Sequence, residues 1–334
     1  MNYRRLSRTH ERRHAQAGVS LVELMIAITL GLVAVGAAMS IFLANRKSFA
    51  LVEGVARVQE NARFAVDMLS RDIREAGGVV CGGALTSVNI VSGTNTWAVW
   101  DRGLVGNVLG SGTGQLAAPS GTTTAQISSP ATHSLLVWSA SSSTAPVQIV
   151  SHVPGTGTFT TATAPNYKAN QVVTACDGSN VATFEVLQDT GTTGTSVKYT
   201  NPITNGISNT FAAGGFLNPL SARVWYVGKS TDSATPSSLR RLTLDKAGNY
   251  SNDNDEMAAN VNNMQIQYLV GDATGAPAAT AYVDAASVTD WTKVIAVRIT
   301  LTLATQDSVG TTGSANTTVS RTVPLTVGIK RRLP

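Results

Sequence analysis

Three patterns of hydrophobic and polar positions follow one another along this chain, and each predicts a different element. From Leu24 to Ala44 there are 21 positions without a charge, matching the ~20 apolar residues a helix needs to cross a hydrocarbon core. Beyond it, Leu51, Val55, Val58, Ala62, Ala65, Leu69, Ile73 and Ala76 recur in steps of three and four, the period of a helix with one buried face. Charges on the same stretch stand four apart, as Glu53–Arg57, Arg63–Asp67, Asp67–Arg71 and Arg71–Glu75, a spacing that weakly supports an exposed face. Gly77-Gly78 offers a left-handed stop, and the first proline is Pro119. One helix over the 58 residues Val19–Ala76 is therefore predicted, about 87 Å long at 1.5 Å per residue. Gly31, Gly36 and Gly54 are its points of softness.

The third pattern is alternation. Met264, Ile266, Tyr268 and Val270 alternate with Gln265, Gln267 and Leu269, and Ile295, Val297, Ile299, Leu301 and Leu303 with Ala296, Arg298, Thr300 and Thr302. That is the period of half-buried strands, and Ser221–Val227, Leu239–Leu244 and Val319–Val327 extend it. Asp245–Asn249 reads as a turn between two strands, and Pro324 places the last strand at a sheet edge. The middle, about 84–215, is rich in Ser, Thr, Gly and Ala. Its short apolar patches at Thr96–Trp100, Ser134–Ser139, Val147–His152, Gln171–Thr174 and Val181–Leu187 read as strands between long loops.

Composition changes this picture mainly by compartment. The chain has 334 residues, ample for an anchor plus a globular region. Its net charge of +5 comes largely from Arg4, Arg5, Arg8, Arg12 and Arg13, set against Glu11. Everything after residue 18 carries only +1, so whole-chain charge gives no argument for a nucleic-acid partner. Positive charge ahead of an apolar span predicts a cytoplasmic amino terminus and a periplasmic body. Cys81 and Cys176 are the two cysteines. An oxidising compartment favours pairing them, which by chain entropy is worth about 4–5 kcal/mol for a loop of this length; two unpaired thiols are the alternative.

A secretory signal would place its small residues after the apolar core. Here Ala15, Ala17 and Gly18 come before it, and Glu23 lies just inside the run, where an ionised group costs roughly 2.5–3.5 kcal/mol at mid-bilayer and marks a functional position. An uncleaved signal anchor accounts for the run alone. The order of glycine, glutamate and apolar tract resembles the class III signal of type IV prepilins. The resemblance implies that a prepilin peptidase cuts after Gly18 and methylates the new amino terminus at Val19, where the major subunits usually carry phenylalanine. It further implies that Glu23 pairs with the amino terminus of a neighbouring subunit during assembly, an α-amino group that ordinarily titrates near ~7.7–8.0. The alternative for Glu23 is snorkelling to the headgroups.

Further segments are similar to PilW-like minor pilins: Arg63-Phe-Ala and Leu69-Ser-Arg-Asp-Ile-Arg-Glu-Ala-Gly77 with a nearby cysteine, Val172-Val-Thr-Ala-Cys176 leading to Phe184, Val261–Tyr268, and Trp291–Arg298. Ser87–Ser151 contributes little to the likeness. The resemblance implies a minor pilin that primes pilus assembly at or near the tip. Its implied partners are the prepilin peptidase, other minor and major pilins, the assembly platform of the inner membrane and inner-membrane lipid, with the pilus surface as its final location. A pseudopilin of a type II secretion system shares the same anchor, and a DNA- or surface-binding adhesin on a pilin stem is the rival from another class.

No enzyme signature is present: HExxH, GxSxG, P-loop and GxGxxG patterns are all missing. Beyond the leader only His133 and His152 remain, each with an ordinary strand-edge or loop explanation, and no cofactor is expected. Asn252–Glu256 clusters oxygens, so Asp253, Asp255 and Glu256 are calcium candidates, although the stretch lacks EF-hand spacing and suits a turn equally well. Arg321, Lys330, Arg331 and Arg332 are candidates for phosphate contact. The fold expected is α+β: a leader over 1–18, a membrane and assembly helix over 19–45, its periplasmic continuation over 46–78, and a mainly antiparallel β-rich domain over 79–334.

Overall fold

The computed structural model describes residues 18–78, 86–89, 103–106, 133–141, 144–199, 210–230, 237–243, 255–272, 281–305 and 318–329. The chain forms two compact units, Met1–Val52 and Glu53–Pro334, with the boundary inside a helix. The leader's first 17 residues, the strand expected at Thr96–Trp100 and the turn at Asp245–Asn249 lie outside the described residues.

Helix α1 spans Leu21–Arg74, inside the predicted limits. Ser20 opens it, its carbonyl accepting the Leu24 N–H at 3.1 Å. The helix closes as a tighter turn, with Ala76 N–H on the Ile73 carbonyl at 3.1 Å and Gly78 N–H on the Glu75 carbonyl at 2.8 Å. Gly77 then takes a φ of 68°, a conformation in which glycine has no side chain to strain, and donates its N–H to the Trp138 carbonyl at 2.7 Å. Of the four charge pairs predicted on the helix, Glu53–Arg57 closes at 2.6 Å. The other three are not within ion-pair distance among the described residues.

In the second unit eleven of the described strands form one sheet. They are β1 (Thr86–Asn89), β2 (Leu104–Gly106), β3 (Leu135–Ala140), β4 (Val147–Val153), β5 (Thr158–Thr161), β6 (Val172–Cys176), β7 (Asn180–Glu185), β8 (Ser196–Lys198), β9 (Phe216–Gly228), β10 (Ser238–Thr243) and β11 (Asp255–Ala259). Strand β9 is central: its first half pairs with β4 and β6, its second half with β3 and β10. Partners change at Pro219 and Leu220, so the proline falls where one ladder ends and another begins. Pairing is antiparallel apart from β1 with β7.

Asn260, at φ 63°, turns the chain from β11 into a second sheet of three strands, β12 (Val261–Val270), β13 (Val294–Ala304) and β14 (Ser320–Gly328), in that order. Its alternation is as the sequence predicts: Met264, Ile266 and Tyr268 on β12 and Val297, Ile299 and Leu301 on β13 are buried, with polar residues between them. Pro324 lies on β14, the outer strand, as expected for a residue with no N–H to donate.

Three cores fill this unit. The first joins the stem of α1 (Val58, Ala62, Ala65, Leu69, Ile73) to Trp225 and Val227 of β9 and to the inner face of the three-stranded sheet. The second is aromatic, built by Phe159, Tyr167, Phe184, Tyr199 and Phe211 with aliphatic residues of β4, β6, β7 and β8. The third lies across Leu136, Trp138, Cys176, Ala222, Val224 and Tyr226. Part of the middle expected as strands and long loops thus has a packed core of its own.

Candidate assembly interface

The amino-terminal end of α1 carries the first group of candidate residues. Gly18, Val19 and Ser20 precede the helix in open backbone, and a side chain added at Gly18 would meet no atom within 4 Å. Val19 is 68 % exposed. Gly18 and Val19 thus lie in accessible, non-helical backbone ahead of the helix. Glu23 sits in the first turn, where unpaired N–H groups and the helix dipole favour a negative charge.

From Leu21 to Phe49 every large apolar side chain is exposed, among them Leu24, Ile28, Leu32, Val35, Ile41 and Phe42. Polar groups on this surface are answered within the helix: Thr29 Oγ1 donates to the Ile26 carbonyl at 2.9 Å and Ser40 Oγ to the Ala37 carbonyl at 2.7 Å. The helix is long and apolar enough to cross a membrane. Each such side chain gains about 1.5–3 kcal/mol on leaving water, so this surface needs lipid or other apolar helices around it.

The stem is locked to the body by a polar contact that periodicity alone missed. Asp72 lies among Leu69, Ile73 and Ala76 on the buried stripe and is 3 % exposed. One carboxylate oxygen accepts from Arg223 Nη1 at 2.6 Å and the other from Trp225 Nε1 at 2.9 Å. An acid on the apolar side of an amphipathic helix was the available signal, since such a charge persists only with partners.

The remaining sequence candidates are dispersed. Cys176 is buried at the end of β6, and Cys81 lies outside the described residues. Asp255 and Glu256 begin β11 rather than a turn: Asp255 faces Arg241 at 3.2 Å, and Glu256 faces Arg240 at 3.4 Å and accepts from Ser230 Oγ at 2.7 Å. Their charges meet guanidinium groups instead of converging on one point, and Asp253 lies outside the described residues. Arg321 is exposed on β14, while Lys330, Arg331 and Arg332 are likewise outside.

Both histidines have structural partners. His152 is stacked on Phe159, ring centres 4.0 Å apart, its Nε2 3.0 Å from Tyr199 Oη and its Nδ1 accepting from the Phe211 N–H at 3.3 Å. Burial of the Tyr199 phenol in this cluster pushes its pKa up to about 12. His133 extends the free edge of β12, its N–H on the Met264 carbonyl at 3.0 Å. Asp177, in the β6–β7 turn, holds the chain at Ala212: it accepts from the N–H groups of Ala212, Ser179 and Asn180 at 2.8–3.0 Å. Partial desolvation opposes ionisation there, but those hydrogen bonds outweigh it and hold the pKa below its ordinary value of 3.8.

Residues 224–330 match the family model of type IV pilus-assembly protein W. The carboxy-terminal third is PilW-like. Residues 13–39 match the prokaryotic N-terminal methylation motif, which contains Gly18, Val19 and Glu23. No curated protein and no solved structure matches the chain. The PilW-like segment runs from the second half of β9 through β14, the strands that share the first core with the stem. Together the two matches support a type IV pilus minor pilin role and membrane anchoring through α1. Both describe structural parts of pilins rather than enzymes.

Proposed function

We propose that the chain is a minor pilin that helps prime type IV pilus assembly and sits at or near the pilus tip. The observation that carries this reading is the pairing of a methylation motif on an exposed apolar helix with a PilW-like segment packed on the same helix's stem. A prepilin peptidase cuts between Gly18 and Val19 and methylates the new amino group. Glu23 pairs with the amino terminus of an adjacent subunit, so two charges that are costly in hydrocarbon neutralise each other. The helix then passes from lipid into a bundle of pilin helices, and the β-rich body, periplasmic until then, contacts other minor pilins. Cys81 and Cys176 form a disulfide in that compartment; the lack of any free cysteine among the described residues supports this.

The test is the amino-terminal sequence of the membrane-extracted protein from cells with and without prepilin peptidase, followed by a count of surface filaments after deletion. A chain beginning at Val19 only when the peptidase is present, with filaments lost on deletion, is the expected result. A chain that retains its leader in both strains refutes the processing step. Normal filament numbers after deletion refute the priming role.

A further inference from the structure

The outer face of the three-stranded sheet holds a cleft of about 290 Å³, lined by His133, Gln265, Gln267, Asp284, Arg298 and Thr300. Register explains the arrangement. Gln265 stands opposite Thr300 and Gln267 opposite Arg298 on neighbouring strands, so four outward side chains make one polar patch, with Asp284 and His133 at its rim.

Two features separate this cleft from an ordinary solvated sheet face. Arg298 and Asp284 share it without pairing: no ion pair forms between them. Asp284 instead accepts from Gln267 Nε2 at 3.5 Å. The Arg298 guanidinium lies over the Tyr282 ring, 3.9 Å from its centre, and a guanidinium stacked this way keeps N–H donors suited to planar recognition of a carboxylate. The second feature is His133. Its Nδ1 lies 2.8 Å from the Ile266 amide nitrogen and 3.1 Å from the Ile266 carbonyl oxygen. The backbone N–H is the fixed donor, so Nδ1 accepts and Nε2 carries the ring proton as a preset donor.

The chemistry of the lining selects the ligand class. Arg298, His133, both glutamines and Thr300 supply donors, the glutamine and threonine oxygens supply neutral acceptors, and Asp284 is the one charged acceptor. A lone carboxylate needs fewer neutral groups than these. Among the described residues no apolar side chain lines the cleft to seat a hydrophobic peptide side chain, and the face of Tyr282 is stacked by Arg298. The volume falls just below the ~300–1,000 Å³ typical of sites for larger ligands, suited to one ring. We infer that this cleft binds a sugar acid, its carboxylate held by Arg298 and His133 and its hydroxyls by Gln265, Gln267, Thr300 and Asp284. The inference does not depend on the pilus reading.

The test is calorimetric titration of the full-length protein in a sugar-free detergent with D-galacturonate, D-glucose and N-acetylglutamate amide. Saturable binding of galacturonate with a Kd of about 1 mM is expected, with glucose and N-acetylglutamate amide each at least about tenfold weaker. Arg298→Gln, at an exposed position, is expected to weaken galacturonate about tenfold while the protein stays folded, the lost stack on Tyr282 lowering the melting temperature by only a few degrees. Gln265→Ala, also exposed, is expected to weaken it about threefold. Absence of saturation at about 50 mM, roughly 50-fold above the expected Kd, overturns the site. Equal binding of glucose, or full binding by Arg298→Gln, overturns the carboxylate contact, and equal binding of N-acetylglutamate amide overturns the sugar assignment.

Discussion

Replacing Asp72 by alanine removes the charge that ties the stem of α1 to β9, and the cost can be worked from its surroundings. Trp225 is fully buried, so its indole N–H would lose its acceptor where water does not reach, at about 1–3 kcal/mol. Arg223 retains 18 % side-chain exposure, so its cation would recover part of its hydration, and its share is smaller than for a fully enclosed partner. Together these give a loss of about 3–4 kcal/mol, within the 3–5 kcal/mol found on breaking buried pairs. That is a large part of the 5–15 kcal/mol a domain typically has. Asp72→Asn should cost less, since one oxygen still accepts while the amide N–H₂ opposes the other donor. The assay is urea unfolding of the detergent-solubilised protein, followed by far-ultraviolet circular dichroism, on Asp72→Ala, Arg223→Met and the double variant. A coupling of about 1.5–3 kcal/mol between the two positions is expected, from the charged hydrogen bond they share. A loss below about 1 kcal/mol for Asp72→Ala, the size of an exposed ion pair, would refute the reasoning. So would additive single losses.

Tyr268 Oη is buried with no hydrogen-bond partner among the described residues, so Tyr268→Phe should leave the unfolding free energy in urea unchanged or raise it, whereas a loss of more than about 1 kcal/mol would mean the hydroxyl has a partner. A side chain at Gly106 would overlap that same oxygen, so Gly106→Ala should destabilise by about 1–3 kcal/mol, and less in the Tyr268→Phe background; equal losses in both would disprove the contact. The depressed pKa of Asp177 means that its contribution is present above its ordinary pKa and lost as pH falls through the folded value. The gap in melting temperature between wild type and Asp177→Asn should therefore be constant from about pH 6 to 8 and narrow below about pH 4; a gap that widens in acid contradicts this. Pro324→Val gives the free edge of β14 a backbone donor, and light scattering should show greater self-association. Unchanged scattering would mean that the proline does not guard the edge.

Strand alternation was most legible where one face meets a core and the other meets water. Met264–Val270 and Ile295–Leu303 satisfy that condition, and their strands stand where they were expected. β9 was half read. The expected Ser221–Val227 is only its second half: the strand starts at Phe216, where β4 and β6 rather than β3 and β10 pair with it. Asn252–Glu256 suits a calcium loop or a turn by composition, yet its last two residues begin β11, where Arg240 and Arg241 on the adjacent strand make those acids tolerable in a ladder. In the site, the exposed apolar face around Glu23 could be read directly, since it depends on local sequence alone. Asp72 stood out only as an acid on the apolar stripe; its partners at Arg223 and Trp225 lie about 150 residues away, and no local period reports them.

Strand β9 contributes Leu217 to the aromatic core, Ala222 and Val224 to the third core, and Trp225 and Val227 to the core under the stem. Its mechanical consequence concerns force. A pull on the stem enters the body through Asp72 at the middle of a strand held on both sides, where rupture requires many backbone bonds to shear together instead of opening one by one. A filament subunit under tension would share the load among all three cores, and the short outer strands β8 and β11 would be spared until β9 itself gave way.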